Sequence, residues 1–191
     1  MTSIDLPSLM TTIFVLVDNW YRQQSTVLVY PRPGAHVQFS DSEVLTLALL
    51  MDYLPFPGET QFLGFIRANY LPWFPQLLDQ SQFNRRLRQL DGMLESLRRS
   101  WVVALGADQK THLLVDTKPI PVLGLKGDKT RSDFSGNAAP ACGAARQMDD
   151  FGYKLTLLST WSGIPIAYDL VPANTDERFA IESLLDVVRG C

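Results

Sequence analysis

Apolar residues recur at three- and four-residue steps through most of the first hundred positions and then give way to alternation. A helical part followed by a strand-rich part is the organisation this predicts. The stretch 6–24, "LPSLMTTIFVLVDNWYRQQ", has helical spacing. The stretch 39–54, "FSDSEVLTLALLMDYL", places Ser40 three residues before Glu43 ahead of an apolar run, the pattern of a capping box. Pro55, Pro57 and Gly58 end it. A third helix is expected over 59–71, stopped near Pro72 and Pro75. A fourth is expected from after Ser81 to about Leu105. Within it Leu87, Leu90, Leu94 and Leu97 form an apolar stripe, and Arg85, Arg86, Arg88, Arg98 and Arg99 fill other positions.

Beyond the turn-like "GADQKT" the pattern changes. "HLLVDTKPIPV" (112–122) reads as a buried strand, "FGYKLTLLSTW" (151–161) alternates, "SG" at 162 and 163 supplies a turn, and "IPIAYDLVPA" (164–173) reads as a third strand paired with the second. A helix over 174–188 follows, with Ile181, Leu184, Leu185 and Val188 on one face. The 28 residues from 123 to 150, rich in glycine, alanine and charge, are expected to form a long loop. The fold class is therefore mixed, α+β, with a helical region at 1–106 and a β-β-β-α region at 107–191.

Composition narrows the class. The chain has 191 residues, 46% hydrophobic and 19% charged, enough for one full core or two small ones. Its longest early apolar run, Ile13 to Val17, is far below the roughly 20 residues that span a bilayer. The start, "MTSIDLPSLM", has Asp5 and no Lys or Arg, unlike a secretory signal. A cytoplasmic protein without a membrane partner is expected. Cys142 and Cys191 show no metal or disulfide spacing, and His36 and His112 are isolated, so any metal would be held by oxygen.

Net charge is −3, but unevenly spread. Residues 81–131 carry 10 Lys and Arg against 5 Asp and Glu, while the segments before and after each carry a net charge of −4. A basic middle between acidic flanks fits phosphate contact, and equally a solvated helix face. Helices two to four could form a helix-turn-helix-like unit presenting the arginines to DNA, or a small bundle whose arginines keep it in solution. "GLKGDKT" (124–130) fails as a phosphate loop, because Asp128 separates Gly127 from Lys129 and no apolar helix follows; no nucleotide cofactor is expected.

One residue stands out chemically. Asp116 lies in the middle of the first expected strand, and a buried carboxylate is costly unless paired, protonated or metal-bound. Lys118, two residues on, falls on the same strand face and offers an ion pair as the plain alternative. Three meandering strands and a helix, with an acid inside the first strand, also begin an RNase H-like core. There a second carboxylate on the neighbouring strand would help hold divalent cations for displacement at phosphorus.

The segments "LLVDTKPIPV" and "FGYKLTLLSTWSGIPIAYDLVPANTDE" resemble the catalytic core of bacterial insertion-sequence DDE transposases. "FSDSEVLTLALL" and "FPQLLDQSQFNRRLRQL" are similar to the helical amino-terminal part of the same group. The resemblance covers roughly residues 40–190. It implies that Asp116 is the first acid of the triad, a ligand for Mg²⁺ or Mn²⁺ in cleavage and transfer of DNA strands at insertion-sequence ends. The second Asp of the family sits on the strand after the helix that ends here near Val188, and the Glu lies farther on; neither position occurs in this chain. Thr175 and Asp176 stand where the family often has His-Asp. A truncated, inactive transposase portion is thus implied, with a homo-oligomer or the missing carboxy-terminal half as further partners.

Lys154 and Tyr153, in "GYK", are candidates to approach a phosphate or a metal-bound water. Asp169, Asp176, Glu177 and Glu182 read mainly as caps and dipole partners of the last helix. Trp20, Trp73, Trp101 and Trp161 read as core or interface anchors. Arg85, Arg86, Arg88, Arg98, Arg99, Lys118 and Lys154 are the DNA-contact candidates. Two other readings stay open: a non-catalytic DNA-binding protein using the helix around 82–100, and a stand-alone RNase H-like nuclease. An unpaired edge on the first strand predicts self-association or poor solubility.

Overall fold

The computed structural model describes residues 4–28, 38–123, 138–142 and 149–189. It divides into two compact units, Met1–Arg98 and Arg99–Cys191. Unit 1 contains α1 (Leu6–Leu28), α2 (Asp41–Tyr53), α3 (Glu59–Tyr70), α4 (Gln80–Gln89) and the first half of α5 (Met93–Ala104). The division falls inside α5.

The second helix is the centre of unit 1. At its start the Ser40 hydroxyl accepts from the Glu43 amide at 3.2 Å, and the Glu43 carboxylate accepts from the Ser40 amide at 2.6 Å, the capping box read from the sequence. Ser42, Val44, Leu45, Thr46, Leu47, Ala48 and Leu50 are all buried, so α2 is enclosed on most sides. Met10, Val17 and Trp20 from α1, Phe62, Leu63 and Ile66 from α3, and Phe83 from α4 are also buried.

A polar network ties three of these helices together. The Asp41 carboxylate accepts from the Tyr21 hydroxyl at 2.6 Å and pairs with the Arg86 guanidinium, which also donates to the Phe39 carbonyl at 3.2 Å. Beside it, Ser42 donates to Asp18 at 2.9 Å, and Asp18 pairs with Arg22 at 2.8 Å.

The single fourth helix expected from the leucine stripe is two helices, α4 and α5. Gly92 has φ +79°, a left-handed conformation that a helix interior cannot contain and that glycine adopts without a steric penalty. Asp91-Gly92 therefore forms the turn between them, with the Met93 amide donating to the Leu90 carbonyl at 3.0 Å.

Among the described residues, unit 2 holds the second half of α5, a four-stranded antiparallel sheet and one further helix: β1 (Leu113–Leu123), β2 (Ala139–Cys142), β3 (Asp149–Thr160), β4 (Pro165–Pro172) and α6 (Glu177–Arg189). The central strand is β3, which pairs with β1, with β2 near its start and with β4. Three strands and the helix were expected; β2 lies inside the expected long loop and is an addition to it. "GLKGDKT" lies outside the described residues. The mixed α+β class holds, and among the described residues no helix is long and apolar enough to cross a membrane.

Val102 at the end of α5, Ala107, Leu158, Ile166, Ala167 and Leu184 form the core of unit 2. Gly152 is required by close approach: a Cβ there would stand 2.1 Å from the Ile120 carbonyl oxygen. Trp20 is in the core as expected and Trp101 is half-buried, but Trp73 is exposed, and Trp161 at the β3–β4 turn is 80% exposed.

Candidate functional site

Directly opposed residues of neighbouring strands share a face, so the register sorts the candidates. Thr117, Thr156 and Asp169 are aligned across β1, β3 and β4; the rows on either side of this one are Asp116, Leu157 and Tyr168, and Lys118, Leu155 and Leu170. Glu177 of α6 accepts from the Thr117 hydroxyl at 3.1 Å, which places the first row on the α6 side. Asp116 and Lys118 therefore belong to the opposite face.

Asp116 is not buried. It is exposed, as are Leu114, Val115, Lys118, Pro119 and Ile120 around it, because β1 pairs with β3 alone among the described residues and so forms a sheet edge. The desolvation cost inferred from the apolar strand is absent. No ion pair joins Asp116 to Lys118 among the described residues; the Asp116 carboxylate instead accepts from the amide of Thr117 at 2.9 Å. Sequence reasoning had a signal for this exposure in Pro119 and Pro121, since proline within a strand marks an edge.

Lys154 does not stand ready for a phosphate. Its ammonium donates to the Thr175 carbonyl at 2.9 Å and lies 3.8 Å from the Glu177 carboxylate, fixing β3 to the start of α6. Thr117 and Glu177, which sequence reasoning did not single out as a pair, complete that junction from β1. The other acids near the helix start also serve the backbone: Asp176 accepts from the Arg178 amide and Asp169 from the Leu170 amide, each at 2.8 Å. The Thr156 hydroxyl, between Thr117 and Asp169 in register, is buried and has no hydrogen-bond partner among the described residues.

The arginines separate in the same way. Arg86 is held by Asp41 and the Phe39 carbonyl, so its guanidinium serves the fold of unit 1. Arg98 meets Glu95 through two bonds of 2.7 Å. Arg99 is exposed and has a partner of its own. Arg85 and Arg88 are exposed on α4, three residues apart and so on neighbouring positions of one face.

A divalent metal needs several oxygen ligands converging on one point. Among the described residues no three His, Cys, Asp or Glu side chains are grouped that way, and Asp116 is separated from Asp169 and Glu177 by the sheet. These residues do not by themselves make a Mg²⁺ or Mn²⁺ site. No protein-family model, curated protein or solved structure matches the chain.

Proposed function

We propose that the chain carries the helical region and the first strands of a DDE-type DNA transposase, with Asp116 as the first carboxylate of its triad and with an RNase H-like core beginning at β1. The observation that carries this reading is the placement of Asp116: exposed, in the middle of an edge strand that begins an antiparallel β1–β3–β4 meander followed by a helix. A further strand beside β1 would have room to bring a second acid to Asp116. The resemblance of "LLVDTKPIPV" and of "GYK" through "PAN" supports the same assignment. With one carboxylate available, residues 1–191 alone are expected to show no Mg²⁺-dependent cleavage of DNA. Reading the coding DNA past the Cys191 codon in all three forward frames tests the proposal. An apolar strand bearing an Asp, then a helix bearing a Glu, is expected; no such continuation in any frame would overturn it.

A second reading, a DNA-binding protein without strand transfer, is favoured by Arg85 and Arg88 on the open face of α4. It predicts duplex affinity that falls steeply with salt and a slope reduced by about two for Arg85→Ala with Arg88→Ala, measured by fluorescence anisotropy. Salt-independent binding, or an unchanged slope, counts against it.

A further inference from the structure

The backbone of β1 can be assigned group by group. In β3 the Gly152 carbonyl accepts from Ala173 at 3.2 Å, and the Thr160 amide donates to the Ile164 carbonyl at 2.9 Å, both on the β4 side. Successive residues of a strand direct their amide and carbonyl groups to alternate sides. Residues 153, 155, 157 and 159 of β3 therefore face β1, and their partners there are Ile120, Lys118, Asp116 and Leu114. The intervening residues of β1, namely Leu113, Val115, Thr117, Pro119 and Pro121, turn their backbone to the outer edge. Two facts agree independently. Proline has no N–H for the ladder and must lie on the outer side, and the Thr117 amide is bonded to the Asp116 side chain rather than to β3.

Among the described residues nothing pairs with this outer edge. Pro119 and Pro121 offer no donor at any time, which confines pairing to residues 113–117. Within that stretch the Thr117 donor is covered by the Asp116 carboxylate. We propose that Asp116 is a latch over a strand-pairing site whose occupant is a second copy of this chain. Residues 113–117 are self-complementary: in an antiparallel pair centred on Val115, Leu113 meets Thr117 of the other copy and Val115 meets its own equivalent. Every outward amide then faces an outward carbonyl. Leu114 and Val115, 42% and 40% exposed, lie at the centre of the contact and gain burial from it. With the latch closed, the amides at the two ends of the pair are not offered and the chain stays monomeric. The proposal concerns residues 1–191 by themselves; the further strand that the transposase reading sets beside β1 would occupy the same edge.

Light scattering coupled to size exclusion, on the full chain over a range of concentrations, tests it. Asp116→Ala removes the latch and is expected to associate to twice the monomer mass, about tenfold or more tighter than the unsubstituted chain. Asp116→Asn keeps an acceptor oxygen on the Thr117 amide and is expected to stay monomeric, although it lacks the carboxylate a metal would need. Asp116→Ala combined with Val115→Pro removes an amide the fold does not use, and should restore the monomer with an unchanged far-ultraviolet spectrum. A monomeric Asp116→Ala overturns the proposal. So does an Asp116→Asn that associates as the alanine variant does, or a folded double variant that remains dimeric.

Discussion

Arg86 and Arg85 are adjacent in sequence and opposite in consequence. The Arg86 guanidinium is nearly enclosed between Asp41 and the Phe39 carbonyl, whereas Arg85 is exposed. Removing one partner of a buried pair leaves the other charge uncompensated, so Arg86→Ala should cost unit 1 about 3 kcal/mol or more in urea denaturation. Arg85→Ala should stay within about 0.5 kcal/mol of the unsubstituted chain. Asp79, at the start of α4, gives a pH signature. The Gln82 amide, the Ser81 hydroxyl and the charge of Arg67 hold its carboxyl below the usual value of 3.8. A depressed native value means that the unfolded chain binds the proton more readily. Stability from this cap is therefore complete above about pH 3.8 and is lost as pH falls through the lower native value. Asp79→Asn, which keeps a capping oxygen, should flatten that acid limb in circular-dichroism melts. None of this distinction was legible in the arginine run itself, because the partners Asp41 and Phe39 are more than forty residues away. Asp116 was misread for a related reason: an apolar strand shows its composition, not its place in a sheet.

Elements were legible where their determinants are local. The Ser40 and Glu43 capping box marks α2 to within a residue because both partners lie in one turn. The break between α4 and α5 was hidden because the leucine steps continue through it, from Leu90 to Leu94, while the punctuating Asp91-Gly92 lies between them. The third strand in chain order, β3, depends on a contact no periodicity records. A Cβ at residue 152 would collide with the β1 backbone at Ile120, and a backbone atom cannot swing aside as a side chain can. Gly152→Ala is expected to lower the stability of unit 2 by about 2 kcal/mol or more, with β1 amides losing hydrogen-exchange protection first. The short β2 was missed because "APAC" carries no strand signature and its pairing with β3 supplies the order.

For the whole molecule, the basic middle segment does not translate into one basic surface. Of its ten Lys and Arg, Lys126, Lys129 and Arg131 lie outside the described residues, Arg86 and Arg98 are engaged by acids, Arg85 and Arg88 are exposed on α4, and Arg99, Lys110 and Lys118 are exposed elsewhere. The change of period after residue 106 reflects the passage from helices to strands, which is a different thing from the boundary between compact units. The turn at 105–106 looks like a border, yet α5 runs from one unit into the other and delivers Val102 to the core formed with Leu158, Ile166, Ala167 and Leu184. That fixes where the polypeptide can be divided. A fragment beginning at residue 107 leaves behind the side chain that seals its own interior, and should bind a hydrophobic dye and melt without a sharp transition. One beginning at residue 93, just past the glycine turn, brings its seal with it and should unfold cooperatively in calorimetry. The natural place to cut this protein is a helix earlier than its sequence advertises.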